Sequence, residues 1–309
     1  MIRKLMFFVF CFSIITINIF SQNGLNTSAF SAGFKMDKGN LTPIYDVKKK
    51  DKTIDKRGLT FGINMGMIKG NGYNAMNYNG DTVKNENSIN YILKNTYHYN
   101  EIKHVLNERN FRLYSIPGNM SYDASIMVGF YARYNYNNST GIFIQFNFSK
   151  LSTNGLFALS VDSATFTSEP ALRYFSIYGQ EERTYIDIGL HKEYYLGEKA
   201  NFFVNGGINF TNTLVTKNGI TINDLDFSII NVYGNQSYVP GSGAQPYEVR
   251  QGGIGFGFFG GCGLNLNFNE KISVDPGLNI YYQSIKLLGY EQYRLNYYLY
   301  IRLMLRNFL

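Results

Sequence analysis

Between residues 293 and 305 the chain alternates so strictly that few folds can accommodate it. One parity reads Tyr293, Leu295, Tyr297, Leu299, Ile301, Leu303 and Leu305; the other reads Arg294, Asn296, Tyr298, Tyr300, Arg302 and Met304. Successive side chains of a β-strand point to opposite faces, so this run has one wholly apolar face and one face of Arg, Asn and Tyr. A water-soluble sheet can alternate too, with its apolar stripes turned toward a shared core. Repetition of the pattern in segments long enough to cross a bilayer, behind an export signal and with long polar segments after every second strand, instead predicts a closed antiparallel eight-stranded up-and-down transmembrane β-barrel.

The first strand starts at Gly58, where Leu59, Phe61, Ile63, Met65 and Met67 share a parity. Strands over 125–136 and 140–149 meet at Asn137-Asn138-Ser139. Strands over 184–194 and 201–213 meet at 196–199, and those over 252–268 and 271–283 meet at Asn269-Glu270. The 293–305 run is the eighth. Turns rich in Asn, Gly and Ser suit such tight reversals. Three long segments, 70–124, 150–183 and 214–251, leave the opposite end, with ten strands an alternative if 156–161 and 171–178 form a further hairpin. Short turns on one rim and long loops on the other predict an outer-membrane protein with both termini periplasmic and the long loops outside. They also set the first strand antiparallel to the eighth, so the sheet can close without a free edge.

Composition agrees where it bears on this reading. No internal apolar run reaches the ~20 residues a membrane helix needs, while 26 Tyr and 25 Phe, no Trp, 31 Gly and 6 Pro suit long strands with interfacial aromatic girdles. Residues 1–21, with Arg3-Lys4 ahead of an apolar stretch ending near Ser21, form a signal peptide. Its removal leaves Cys262 as the one cysteine, which excludes an intramolecular disulfide. Residues 22–57, closing on Lys48-Lys49-Lys50-Asp51-Lys52, predict a solvated periplasmic arm ahead of the barrel over 58–309. The formal charge of +7 is too mild for a nucleic-acid footprint.

Several segments together resemble a known family. Gly58-Leu59-Thr60-Phe61-Gly62-Ile63-Asn64-Met65-Gly66, Val128-Gly129-Phe130-Tyr131, Val204-Asn205-Gly206-Gly207, Gly260-Gly261-Cys262-Gly263 and the Tyr-rich last strand are similar to PorT-like outer-membrane β-barrel proteins of the Bacteroidota. The resemblance covers about residues 58–309. It implies a small integral barrel without catalytic residues, some relatives of which resemble components of a type IX secretion system. The chain departs from that pattern in its long first loop and its Arg306-Asn307-Phe308-Leu309 ending.

Eight strands enclose a space that side chains fill, so the inward parity predicts a packed polar lumen, not an aqueous pore. Arg133, Asp187, Asp275, Arg302 and Arg306 all fall on it, and an ionic side chain facing lipid near the midplane would cost about 2–4 kcal/mol. Asp275 is expected to pair with Arg302, and Asp187 to lie toward Arg133 or Arg302. Inward Gly255, Gly257, Gly261 and Gly263 are expected to leave room for Tyr281, Tyr298, Tyr300 and Arg302. Lys192 breaks parity at a strand end, where its stem can snorkel.

Other motifs read as structure. Gly255-Phe256-Gly257-Phe258-Phe259-Gly260 matches G-x-G-x-x-G, but the alternation runs on through Phe268 where a dinucleotide site needs a helix. His98, Glu101 and His104 share a loosely helical spacing within 88–109, a stretch predicted to hold one or two short helices, so a metal site there is an alternative to an ordinary helical patch. His191 and Glu193 lie inward without the cysteines a zinc deaminase requires. No cofactor is expected. Three functions follow: a non-enzymatic barrel binding a partner or surface glycan through loops 70–124, 150–183 and 214–251; a secretion-machine subunit docking through its arm or loops; and a lipid-modifying enzyme using His98 or His104.

Overall fold

The structure is a computed structural model that describes residues 34–37, 40–43, 57–81, 88–162, 171–197, 199–230, 251–269 and 271–306. The chain divides into two units, 1–52 and 53–309. In the first, strands β1 (Phe34–Asp37) and β2 (Asn40–Pro43) pair antiparallel. The predicted solvated arm therefore contains a short hairpin. The signal segment 1–21 and arm residues 22–33 and 44–56 lie outside the described residues.

The second unit is built on eight long strands: β3 (Gly58–Lys69), β5 (Ser125–Asn137), β6 (Thr140–Val161), β7 (Ala171–Tyr195), β8 (Ala200–Ile222), β10 (Gly252–Asn267), β11 (Ile272–Gln283) and β12 (Arg294–Arg306). Hydrogen bonding runs β10-β11-β12-β3-β5-β6-β7-β8 and then from β8 back to β10, with Phe258 opposite Ile208 at that join. All neighbours are antiparallel, so the sheet is a ring. Two short strands sit at its long-segment end: β4 (Phe111–Ser115) pairs with β6, and β9 (Leu225–Ser228) with β8.

Two tight turns are made the same way. The Asn137 Oδ1 accepts from the backbone N–H of Ser139 and Thr140 at 2.9 and 2.7 Å, and the Asn269 Oδ1 from those of Lys271 and Ile272 at 2.8 and 2.7 Å. A short amide bonding backbone two and three residues on mimics a turn and fixes the strand register after it.

The sequence boundaries need one correction. Residues 150–161, 171–183 and 214–222 are not loop but continuations of β6, β7 and β8, which reach 22, 25 and 23 residues. The stretches 156–161 and 171–176 do pair antiparallel, but as the far ends of β6 and β7 and not as two further strands of the ring. A membrane strand needs only about 9–11 residues, so half of each strand is surplus to a crossing.

Those surplus halves have a different core. On β7, Phe175 and Ile177 point inward, and on β6 Phe157, Leu159 and Val161 do. They pack with Ile220 and Ile222 of β8 and with Ile89, Ile92, Ile102, Leu106 and Phe111 from the first long segment. That segment folds over them as α1 (Gly72–Ala75), a 3₁₀ turn (Met76–Tyr78), α2 (Asn90–Leu93) and α3 (Thr96–Val105). The stretch 88–109 thus holds two helices, as its spacing predicts. Asn71 and Asn95 cap α1 and α3: Asn71 accepts from Tyr73 N–H at 2.7 Å and Asn95 from Tyr97 N–H at 3.0 Å. An N-cap of this kind satisfies a donor the helix itself cannot. We call this helix-covered end the cap. Among the described residues no helix is long and apolar enough to cross a membrane.

Toward the short-turn end the polarity reverses. Ile63, Phe130, Phe146, Ile188, Phe258, Ile280 and Leu299 are exposed on the outer face, Leu299 to 63%, while Tyr298 and Tyr300 beside it are at 0% and 1%.

Candidate functional site

Among the described residues the interior gathers ionisable groups, and the strands deliver them by parity. Arg133, Arg183, Arg302 and Arg306 are buried there, and so are Glu181, Asp187, Glu193 and Asp275. Four cations meet four anions, which leaves the interior formally neutral with His191 uncharged.

The groups form three layers. Nearest the short turns, Arg133 lies 3.2 Å from Glu193 and also contacts His191 Nε2. His191 sits between these groups, with Nδ1 2.6 Å from Asn205 Oδ1 and Nε2 3.1 Å from Glu193 Oε1. In the middle, Arg302 donates to Asn64 Oδ1 and Gln145 Oε1, both at 2.6 Å, and its guanidinium lies 3.6 Å from the centre of the Tyr131 ring and 4.8 Å from that of Tyr300. Asp187 accepts from Asn209 at 2.6 Å and Tyr281 at 2.8 Å. Asp275 accepts from Asn265 at 2.6 Å, and Arg306 donates to that amide's oxygen at 3.0 Å. Buried charges so held avoid the cost of standing unpaired.

All five residues expected inward are there, but the pairing expected of them differs. Asp275 and Arg302 are directly opposed on β11 and β12, yet they form no ion pair. Gly62 on β3 offers no side chain, and a Cβ there would meet Met304 Sδ at 2.6 Å and Arg302 Cγ at 3.2 Å. The Arg302 guanidinium is held instead by Asn64 of β3 and Gln145 of β6. Asp187 reaches Arg302 only through Gln145, which accepts from the guanidinium and donates to Asp187 at 3.4 Å. The glycines of β10 also serve other neighbours than expected. A Cβ on Gly257, Gly261 or Gly263 would strike Gln283, Asn279 or Phe203, while Tyr300 crosses Gly277 of β11.

The third layer escaped the sequence reading. Glu181 and Arg183 pair where β7 passes from the polar interior into the cap; Tyr78 donates to Glu181 at 2.5 Å, and Arg183 lies 5.1 Å over the Tyr122 ring. Both partners hang from the first long segment, so this layer fastens the cap to the ring. Burial first, then the Glu181 carboxylate, raise the Tyr78 phenol well above its usual pKa, and burial does the same for Tyr122. In an unfolded chain both phenols ionise near pH 10. A group whose folded pKa is raised keeps its stabilisation below the unfolded value and loses it as pH climbs beyond. The cap should therefore open above about pH 10, seen as trypsin cutting within residues 88–123 while the ring stays resistant. Tyr78→Phe should weaken the cap by about 1.5–3 kcal/mol, the range for a hydrogen bond to a buried charge, and bring that cutting to neutral pH.

The histidines of the first long segment do not converge. His98 stands 3.5 Å from Glu101 and edge-on to Phe227, while His104 pairs with Glu108 at 2.8 Å. Among the described residues no three His, Cys, Asp or Glu side chains gather as a metal site would require. Lys192 bonds the Ser139 and Thr140 hydroxyls at 3.0 and 3.1 Å, beside the first tight turn.

No family model matches this chain, and no curated protein does. Among solved structures it is similar to Neisserial surface protein A at 7% identity, covering 81% of this chain and 97% of that one with a TM-score of 0.41. It is also similar to the outer membrane protein OprG from Pseudomonas aeruginosa, at 10% identity over 82% and 98% with a TM-score of 0.38. A third is the attachment invasion locus protein Ail of Yersinia pestis bound to the heparin analogue sucrose octasulfate, at 11% identity over 81% and 98% with a TM-score of 0.32. These are distant likenesses.

Proposed function

We propose that the protein is an integral, non-enzymatic outer-membrane β-barrel that carries a folded cap outside the bilayer for binding a partner or surface ligand. One observation carries this reading: the polarity of β7 inverts along its length. In the cap half, Phe175 and Ile177 face in while Tyr174, Ser176, Gln180 and Glu182 face out; in the other half, Asp187, His191 and Glu193 face in while Ile186, Ile188 and Leu190 face out. Water selects the first arrangement and hydrocarbon the second. A strand immersed in one solvent has no reason to switch.

The dimensions agree. The outward apolar run of β12 from Leu295 to Leu305 spans roughly 33 Å along the strand, which a tilt near 45° reduces to about the 25 Å of a membrane band. The short turns and both ends of the ring then belong to the periplasm, and the cap to the outside. Three of the four buried arginines, Arg133, Arg302 and Arg306, fill the lumen along with Tyr131, Tyr281 and Tyr300, so the barrel acts as a scaffold and not as a pore.

Expression in a bacterium with an outer membrane should place the chain in the detergent-requiring outer-membrane fraction, with a migration on gels that changes on boiling. Planar bilayers containing it should show no stable conductance steps. Recovery as a monomer in detergent-free buffer would overturn the reading.

A further inference from the structure

The outer surface of β6 and β7 changes from apolar to polar between Phe148 and Lys150 and between Ile186 and Glu182, and a shallow cavity of about 280 Å³ lies across that change. Ile126 and Phe148 line its apolar side, and Lys150 and Glu182 its polar side. Thr184, cross-strand from Phe148, is the short side chain between them. Lys150 and Glu182 are themselves cross-strand partners, with Nζ and Oε1 3.7 Å apart and each side chain about half exposed, at 55% and 53%. That distance is too long for a hydrogen bond, and exposed pairs of this kind hold each other weakly. Both charges are therefore open to a better partner.

We propose that this cavity seats the phosphoethanolamine headgroup of a membrane lipid, an inference that rests on the outer-membrane reading above. The lipid phosphate meets the Lys150 ammonium, the primary ammonium meets the Glu182 carboxylate, and an acyl chain lies along Phe148 and Ile126. Charge complementarity selects this headgroup. Arg183 also belongs to the lining, but its side chain is buried and paired with Glu181; the two exposed charges, one cation and one anion, match a zwitterion, whereas an anionic glycerol headgroup would offer Glu182 only repulsion. A choline headgroup has the right charges but no N–H to donate, so it forfeits the charge-assisted hydrogen bond to the carboxylate. Burial of the cavity's apolar side under a chain supplies affinity without selectivity.

The test uses the full chain refolded into phosphatidylcholine vesicles doped in turn with ethanolamine, glycerol or choline lipids carrying one spin label on the same acyl position. Ethanolamine lipid should be motionally restricted by the protein on the order of fivefold more tightly than either other lipid. Lys150→Gln should abolish its advantage, and Glu182→Gln should bring choline lipid level with it. Insertion is followed in the same samples by heat-dependent gel migration. Insertion with equal retention of all three lipids, or with a preference that both variants keep, overturns the headgroup seat alone. Failure to insert into any of the vesicles overturns the membrane reading and the seat together.

Discussion

Arg302→Met should lower the stability of the folded barrel by about 3–5 kcal/mol, the cost of leaving buried charges and acceptors without their partner. The methionine is close to the arginine stem in length but leaves Asn64 Oδ1 and Gln145 Oε1 without their donor. It also breaks the four-to-four charge balance, leaving the Asp187 and Asp275 side in excess. Urea unfolding in lipid vesicles, followed by gel migration, reads the loss. Arg302→Lys keeps the charge but cannot donate in two fixed directions, so it should fall between methionine and wild type. Asp187→Asn added to Arg302→Met restores the formal balance and should recover part of the stability. A loss below about 1 kcal/mol for methionine would mean the interior is wet enough to screen its charges, as at a surface.

Phe146→Lys should prevent insertion or cost about 2–4 kcal/mol of it, because Phe146 stands on the outer face midway along the apolar part of β6. Leu156→Lys, further along the same face of the same strand, should be tolerated within about 0.5 kcal/mol. Both side chains are exposed, Leu156 more so at 60% against 37%, so a protein surrounded by water would accept lysine at either site. Refolding yield into vesicles distinguishes the two cases directly. Equal tolerance at both positions would remove the bilayer from the description of this chain.

The eight-strand ring was legible because its signal is periodic and local. Apolar side chains on the outer face and packed polar groups on the inner one force a two-residue alternation, and the inward placement of Arg133, Asp187, Asp275, Arg302 and Arg306 follows from parity alone. Reach was not legible. Whether a long side chain bends left or right depends on which acceptors its neighbours offer, and Asn64, which holds Arg302 away from Asp275, lies on a strand more than two hundred positions earlier in the chain. The far halves of β6, β7 and β8 were missed for a different reason. The outward apolar stripe that marked the strand ends at Thr184, and the strand does not. Extending the parity of Asp187 upward through Tyr185 would have reached Arg183 and Glu181, which continue the inward face unbroken.

The uninterrupted run of β6, β7 and β8 from one rim of the ring into the cap also has a mechanical side. Apart from the bulge at Gln180 and Glu181, where β7 shifts register against β8, the strands run through without a break, so the cap is held at a set height and heading above the ring. A pull on it travels down three hydrogen-bonded struts into the whole hoop, to be shared among eight staves and not concentrated on a single tether.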